Sequence, residues 1–220
     1  MIESLSLILK GLQTTLALTV FSLTLALGVS FLAGLGRLSK NSVVRATVIA
    51  YIEFFRGTSL FVQLFWAFYV LPFMGVELSP MQAAVLALGL NYGAYGAEVV
   101  RGSVNAIGRD QWEGCVALNL TPFQRLRHVI IPQAIVIMLP PFGNLAVTLL
   151  KSTAIASLIA LPDLTYQAQL VRNQTGQTLL PFAIIMIIYF AVSTFIKSGI
   201  QIAERRLTIG ADRAQPARSI

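Results

Sequence analysis

The residues best suited to chemistry lie in a short polar stretch, residues 110–132, between two strongly apolar runs. This stretch holds Cys115 and His128, the single cysteine and the single histidine of the 220-residue chain. A catalytic nucleophile needs a neighbouring base and a third group that orients it, and a metal centre needs several ligands. Neither set is present, and the phosphate-binding pattern G-x-x-x-x-G-K-S/T is absent. We therefore predict that the chain alone is not an enzyme, hydrolyses no ATP, and holds no metal or cofactor.

The composition indicates a membrane protein. Hydrophobic residues make up 56% of the chain and charged residues only 11%, whereas soluble domains carry roughly 25% charged residues. A membrane-spanning helix needs about 20 mostly apolar residues. We predict one all-α transmembrane domain over residues 1–220, in which an interfacial helix precedes the second span and Pro140-Pro141 interrupt the fourth. The five predicted spans cover about residues 12–35, 58–73, 81–100, 133–150 and 179–200.

Basic residues predict the orientation of these spans. With the N-terminus outside and the C-terminus in the cytoplasm, 13 of the 16 Lys and Arg residues lie in inside segments, as the positive-inside rule requires. The inside residues are Arg37, Lys40, Arg45, Arg56, Arg101, Arg109, Arg125, Arg127, Lys197, Arg205, Arg206, Arg213 and Arg218, and the outside residues are Lys10, Lys151 and Arg172. The net charge of +7 is thus a topology signal and implies no nucleic acid. The polar stretch becomes part of a cytoplasmic loop, about residues 101–132.

The first half of the polar stretch is typical of a short helix. Asp110 is a candidate N-cap, and Glu113 three residues later completes a variant capping box. The helix is expected to run to Leu118 with Trp112 as its largest side chain. Asn119 follows, and asparagine tolerates the left-handed conformation found after helix ends.

The second half is typical of another short helix. Thr121 is a candidate N-cap, Pro122 suits the first helical position, and Gln124 completes a capping box. We expect this helix to reach Ile131 and to end at Pro132, where the fourth span begins. The two helices would form a hairpin with defined ends.

Three interpretations of the hairpin compete. It could simply connect two spans. It could be a helix-turn-helix for DNA, although the chain offers no supporting third helix or domain. It could also dock onto a cytoplasmic protein, with Trp112 and Phe123 as anchors, because aromatic side chains often dominate interface energies.

The sequence of the hairpin, EGCVALNLTPFQRLRHVIIPQA, resembles the EAA loop of membrane subunits of bacterial ABC importers. That loop carries E-A-A, a glycine and a terminal I-x-L-P. The matching positions are Glu113, Gly114 and Cys115 for E-A-A, Asn119 for the glycine, and Val129, Ile131 and Pro132 for the end. The small residues remain small, and asparagine can adopt the conformation of the glycine.

Three further segments are similar to the permeases of polar amino acid importers. EFFRGTSLFVQL (53–64) resembles E-x-x-R-G-T-P-L-x-x-Q-L, with Ser59 in place of proline. AYGAEVVRGSVNAI (94–107) resembles A-Y-x-A-E-x-x-R-G. LPPFGNLAVTLLKSTAIASLI (139–159) resembles L-P-P-x-x-N followed by L-L-K-D-T-S-L, with Ser152 in place of aspartate. The resemblance covers about residues 50–165.

This resemblance implies a type I importer permease in a bacterial plasma membrane. Its implied partners are two cytoplasmic ATPase subunits, a second identical or similar permease, and an extracytoplasmic solute-binding protein. The first hairpin helix would sit in a cleft of an ATPase, with Glu113 making a polar contact and Asn119 setting the angle between the helices. The implied solute is a polar amino acid or a related zwitterion such as ectoine. The implied coupling residues are Asp110, Trp112, Glu113, Gly114, Cys115, Asn119, Thr121, Pro122, Phe123 and Pro132.

Polar residues inside the spans are candidates for the solute pathway, because a central charge costs about 2.5–3.5 kcal/mol in a span. Two groups stand out: Asn91, Tyr95 and Glu98 in the third span, and Asn144, Lys151 and Thr153 in or just after the fourth. Structural roles compete with this interpretation. Glu98 could pair with Arg101, and Lys151 could snorkel to the outer membrane surface.

Two other functions remain open from the sequence. A secondary transporter or channel would act without an ATPase, but it predicts inverted repeats or an even, symmetric set of spans, and neither is evident. A membrane scaffold would not require the polar positions within the spans.

Overall fold

The computed structural model describes the backbone of residues 2–212 and the side chains of residues 6–206. Arg213 and Arg218, used above to orient the spans, lie outside the described residues. All regular elements of the described part are helices. They are α1 (Ile2–Arg37), α2 (Ser42–Gly57), α3 (Leu60–Met74), α4 (Pro80–Asn105), α5 (Arg109–Ala117), α6 (Pro122–Ile159), α7 (Leu164–Thr175) and α8 (Leu179–Asp212).

Four helices are long and apolar enough to cross a membrane by themselves, namely α1, α4, α6 and α8. The pair α2 and α3 passes the same test together, but the chain bends by 103° between them. Counted as one broken span, this pair gives the five spans predicted from the sequence. The predicted second span, 58–73, corresponds to α3.

The core is centred on α1 and α4, which pack along each other. Three glycines allow this approach, because an added Cβ at Gly89 or Gly93 would lie within 3.0 Å of Leu25 or Val29, and one at Gly96 would collide with Ser30. The Ser30 hydroxyl also donates a hydrogen bond of 3.2 Å to the carbonyl oxygen of Gly93. Small residues and interhelical hydrogen bonds are the usual means of packing helices in membranes.

Two predicted interruptions are wrong. The helix that begins at Pro122 does not end at Pro132, and Pro140-Pro141 do not break the fourth span, because α6 continues to Ile159. A π-helical turn, Arg125–Ile130, directly precedes Pro132. Its wider winding relieves the clash between a proline ring and the carbonyl group one turn earlier. The second half of the hairpin and the fourth span therefore form one helix of 38 residues.

Candidate coupling hairpin and solute pathway

The first helix of the hairpin, α5, begins one residue before the predicted cap. Gly108 occupies the N-cap position and provides no side-chain hydrogen bond, so the prediction that Asp110 caps the helix is wrong. Asp110 lies in the first turn, where its negative charge suits the positive end of the helix dipole. Its carboxylate lies so close to Gly108 that a Cβ at that position would collide with it.

The turn between the hairpin helices follows the sequence prediction. Asn119 adopts a left-handed conformation with φ of 51°, and the backbone N–H of Leu120 donates to the Cys115 carbonyl oxygen over 3.1 Å. Thr121 and Gln124 form the predicted capping box, with Pro122 inside the first turn. Arg125 adds a bond of 2.6 Å from Nε to the Leu120 carbonyl oxygen. These contacts fix the angle between α5 and α6.

The inner face of the hairpin packs against its own chain. Cys115 is 3% exposed, and the partly buried Trp112 contacts an apolar cluster formed by the C-terminal end of α4, Ile107 just after it, and the start of α6. The members of this cluster are Val100, Val104, Ile107, Ile130, Ala134 and Met138. Trp112 thus joins the hairpin to two membrane helices.

The outer face of the hairpin is open. Leu118 and Phe123 are 75% and 67% exposed, and Val116 is also exposed. Glu113 and Gly114 lie on the same open side, and an added Cβ at Gly114 would meet nothing within 4 Å. This face therefore exposes apolar side chains beside an acidic one.

Three of the six predicted pathway residues make internal contacts. Asn91 is buried and donates to the Phe55 carbonyl oxygen and to Gln63 Oε1, over 2.8 and 3.1 Å. Glu98 forms ion pairs with Arg37 and Arg101. The fully buried Thr153 hydroxyl donates to the Leu150 carbonyl oxygen over 2.7 Å. Asn91 and Glu98 thus join α4 to other helices, whereas the Thr153 bond lies within α6.

The other three pathway candidates are exposed on the surface of the subunit: Tyr95, Asn144 and Lys151. Asn144 and Lys151 share a face of α6 with Thr148, at positions i, i+4 and i+7. The Thr148 hydroxyl donates to the Asn144 carbonyl oxygen over 2.8 Å, so the Asn144 amide itself stays available on that face.

Asp163 had no role predicted from the sequence, and it is fully buried between the end of α6 and the start of α7. Its Oδ1 accepts a hydrogen bond of 2.8 Å from the Tyr166 backbone N–H, and so caps α7. Burial raises the pKa of Asp163 to about 6. Buried polar atoms of Ser22, Gln167 and Ser193 have no hydrogen-bond partner among the described residues. The N-cap role could have been predicted, because an aspartate precedes a helical pattern. The burial of Asp163 could not, because it depends on residues far away in sequence.

Known proteins resemble this chain over nearly its whole length. It is 42% identical over 205 residues to the probable amino-acid ABC transporter permease protein y4tF of Sinorhizobium fredii, covering 90% of this chain and 86% of the relative. It is 34% identical over 198 residues to the L-cystine transport system permease protein TcyB of Bacillus subtilis, covering 90% and 85%.

Solved structures give the same result for the fold. A crystal structure of an amino acid ABC transporter with histidines matches with a TM-score of 0.88 and 34% identity, over 94% of this chain and 96% of that one. An inward-facing structure of the MetNI methionine ABC transporter matches with a TM-score of 0.76 and 20% identity, over 92% and 97%. The similarity to MetNI shows a shared fold only.

Residues 12–209 match the family described as binding-protein-dependent transport system inner membrane component. This match includes the five spans and the whole hairpin, and it agrees with the resemblance found in the sequence. The chain belongs to this family of transport-system membrane components.

Proposed function

We propose that this chain is the permease subunit of an amino-acid ABC importer in a bacterial plasma membrane, and that residues 109–132 couple it to an ATPase. The proposed coupling role rests on one observation. The exposed hairpin is continuous with a membrane-spanning helix, because α6 runs without a break from Pro122 to Ile159. A displacement of the hairpin therefore reaches the membrane without crossing a flexible joint.

The two faces of the hairpin support this role. The outer face, with Leu118, Phe123 and Glu113, would occupy a cleft of the ATPase. The inner face, through Trp112, is packed on α4 and α6. When ATP draws the ATPase subunits together, the hairpin would move as a rigid lever and would shift both helices. The capping box at Thr121 keeps the lever stiff.

The proposed solute pathway lies along the exposed polar positions, Tyr95, Asn144 and Lys151. Uncompensated polar groups facing lipid are costly, so these side chains fit a water-filled passage shared with a second permease. Asn91, Glu98 and Thr153 would support that passage from behind, since their polar atoms are engaged within the subunit.

Amino acids are the solute class that the relatives favour. The permeases y4tF and TcyB are named for amino-acid and L-cystine transport, and the family description names a dependence on a binding protein. An extracytoplasmic binding protein would deliver the solute, two ATPase subunits would supply the energy, and this chain would perform no chemical reaction.

The test is ATP-dependent amino-acid uptake by proteoliposomes that contain the permease, its ATPase and its binding protein. Glu113→Lys should abolish uptake and the co-purification of the ATPase, because a cation replaces the proposed polar contact, while membrane insertion stays normal. Glu77→Lys is the matched control, since Glu77 is an exposed acidic residue in the loop between α3 and α4. Uptake by the permease without an ATPase would support a secondary transporter instead.

A further inference from the structure

The π-helical turn of α6, Arg125–Ile130, lies between the hairpin and the membrane-spanning part of the same helix. At the end of this turn the Ile131 backbone N–H donates to the Leu126 carbonyl oxygen, five residues earlier instead of four. The next residue, Pro132, has no N–H to donate. Helices kink most often at π-helical turns and at prolines. The proposed lever would therefore bend most easily at this turn, unless another contact holds it.

Gln133, just beyond the π-helical turn, makes two hydrogen bonds through its side-chain amide nitrogen, which carries two hydrogens. Its Nε2 donates to the Val129 carbonyl oxygen over 3.0 Å, within α6. The same Nε2 donates to Gln111 Oε1 over 3.1 Å. Gln111 belongs to α5, so this second bond joins the first helix of the hairpin to the part of α6 that follows the π-helical turn.

The bond between Gln111 and Gln133 acts beside the apolar packing of Trp112. Apolar packing is non-directional, so it keeps α5 close to α6 without fixing the orientation of one helix relative to the other. A hydrogen bond does fix it, because the bond weakens steeply with distance and angle. Gln111 is exposed and Gln133 only partly buried, so water competes for both amides and the bond adds little to the free energy of unfolding. Its main effect is on the geometry of the hairpin.

We propose that Gln133 is a positioning residue for coupling. Its bond to Gln111 holds α5 in a fixed orientation to the membrane-spanning part of α6, so that a displacement of the hairpin moves the span instead of bending the π-helical turn. The inference rests on the proposed coupling role of residues 109–132.

A purely local role for Gln133 is the alternative. In that case its side chain would only supply a donor to the Val129 carbonyl oxygen, near the missing N–H of Pro132. The two roles make different predictions for Gln111, because only a positioning role requires that side chain.

The experiment uses proteoliposomes that contain the permease, its ATPase and its binding protein, and it measures ATP hydrolysis and solute uptake in the same preparation. The probe is radiolabelled L-histidine or L-cystine, whichever the wild-type transporter takes up faster. We expect Gln133→Leu to lower the uptake per ATP hydrolysed about 2- to 10-fold, the range for one lost hydrogen bond. Co-purification of the ATPase and the melting temperature should stay near the wild-type values, because the outer face of the hairpin and its apolar packing are unchanged.

Gln111→Leu removes the same bond from its other side and should lower the uptake per ATP hydrolysed to a similar extent. Because Gln111 is exposed, this variant also tests the inference if Gln133→Leu does not fold. The two substitutions together should cause no further loss, since one bond is removed in each case. Gln111→Glu combined with Gln133→Lys should restore coupling, because an ammonium group can donate to the carboxylate in place of the amide bond.

Gln201→Leu is the matched control, because Gln201 is an exposed glutamine towards the C-terminal end of α8. It should keep the wild-type uptake per ATP hydrolysed.

The inference is overturned if Gln133→Leu keeps the wild-type uptake per ATP hydrolysed. It is also overturned if Gln133→Leu loses coupling while Gln111→Leu does not, since the local role would then account for the loss. Loss of ATPase co-purification in either variant would assign the residue to the docking surface and would overturn the inference as well. Failure of the wild-type transporter to take up any amino acid with ATP is a separate result that contradicts the proposed function itself.

Discussion

The Asn91 side-chain amide donates a hydrogen bond of 2.8 Å to the backbone carbonyl oxygen of Phe55, and this bond joins the midpoint of α4 to the end of α2. The Gln63 amide donates to the same oxygen over 2.9 Å and to the Thr58 hydroxyl over 2.7 Å. A broken helix inside a membrane must have its freed carbonyl groups satisfied by other groups of the protein. Asn91 and Gln63 do this at the bend between α2 and α3.

Replacing Asn91 should destabilise this bend. In Asn91→Leu the Phe55 carbonyl oxygen and the Gln63 side chain each lose a partner, and we expect a loss of about 1–3 kcal/mol. The measurement is thermal unfolding of the purified complex in detergent. Asn144→Leu makes the same chemical change at an exposed site, so its melting temperature should stay at the wild-type value. Equal melting temperatures for the two variants would contradict a structural role for Asn91.

Gly96 should tolerate no side chain. An added Cβ would collide with the Ser30 hydroxyl and lie 2.9 Å from the Phe142 ring, so Gly96→Ala should force α1 away from α4 at a cost of about 1–3 kcal/mol. The same substitution at Gly28 meets nothing within 4 Å and should be neutral or slightly stabilising. Comparison of expression level and melting temperature between these two variants tests the packing of α1 on α4.

Glu98 should contribute through its pairing with Arg37 on α1. The two side chains are 19% and 22% exposed, so Glu98→Ala leaves a poorly solvated arginine and should cost about 1.5–3 kcal/mol. If the pairing is the cause, Arg37→Ala in the Glu98→Ala background should cost less than Arg37→Ala alone. Additive losses in this double-mutant cycle, followed by thermal unfolding, would show that the two residues do not interact energetically.

Stability should depend on pH through Asp163. Because burial raises the pKa of Asp163 from 3.8 to about 6, the folded protein binds this proton more tightly than the unfolded chain does. Protonation of Asp163 therefore adds to the free energy of unfolding. This stabilisation is complete below about pH 4 and is lost as the pH rises to about 6, with an upper limit of about 3 kcal/mol. Asp163→Asn retains a capping oxygen and cannot ionise, so it should flatten this dependence in melting curves recorded between pH 4 and 8. An unchanged curve would show that Asp163 titrates near its ordinary pKa.

The two large aromatic residues of the hairpin should behave differently. Trp112→Ala removes contacts with the cluster between α4 and α6 and should lower stability by about 2 kcal/mol. Phe123→Ala changes an exposed side chain, so it should leave the melting temperature unchanged. If the outer face docks onto the ATPase, only Phe123→Ala should weaken ATPase binding while the permease remains fully folded. A pull-down with the ATPase, beside melting curves, separates the two effects.

The sequence by itself determined the features that depend on neighbouring residues. Apolar length gave five spans, and the distribution of basic residues gave their orientation. Asn119, Thr121 and Gln124 predicted the turn and the second helix start, because left-handed conformations and capping boxes are set within a few residues. The predicted cap at Asp110 was one of several acceptable helix starts, and the glycine two residues earlier took that position.

Only the tertiary structure decided which polar side chains are satisfied within the subunit. Asn91 and Asn144 are the same residue type inside apolar spans. Asn91 is hydrogen-bonded to the end of α2, next to the bend, whereas Asn144 is exposed. The position of the bend between α2 and α3 likewise depends on contacts with α4 made by residues far away in sequence. Hydropathy measures how apolar a segment is. It contains no information about the partner that a bend or a helix crossing places beside a given side chain.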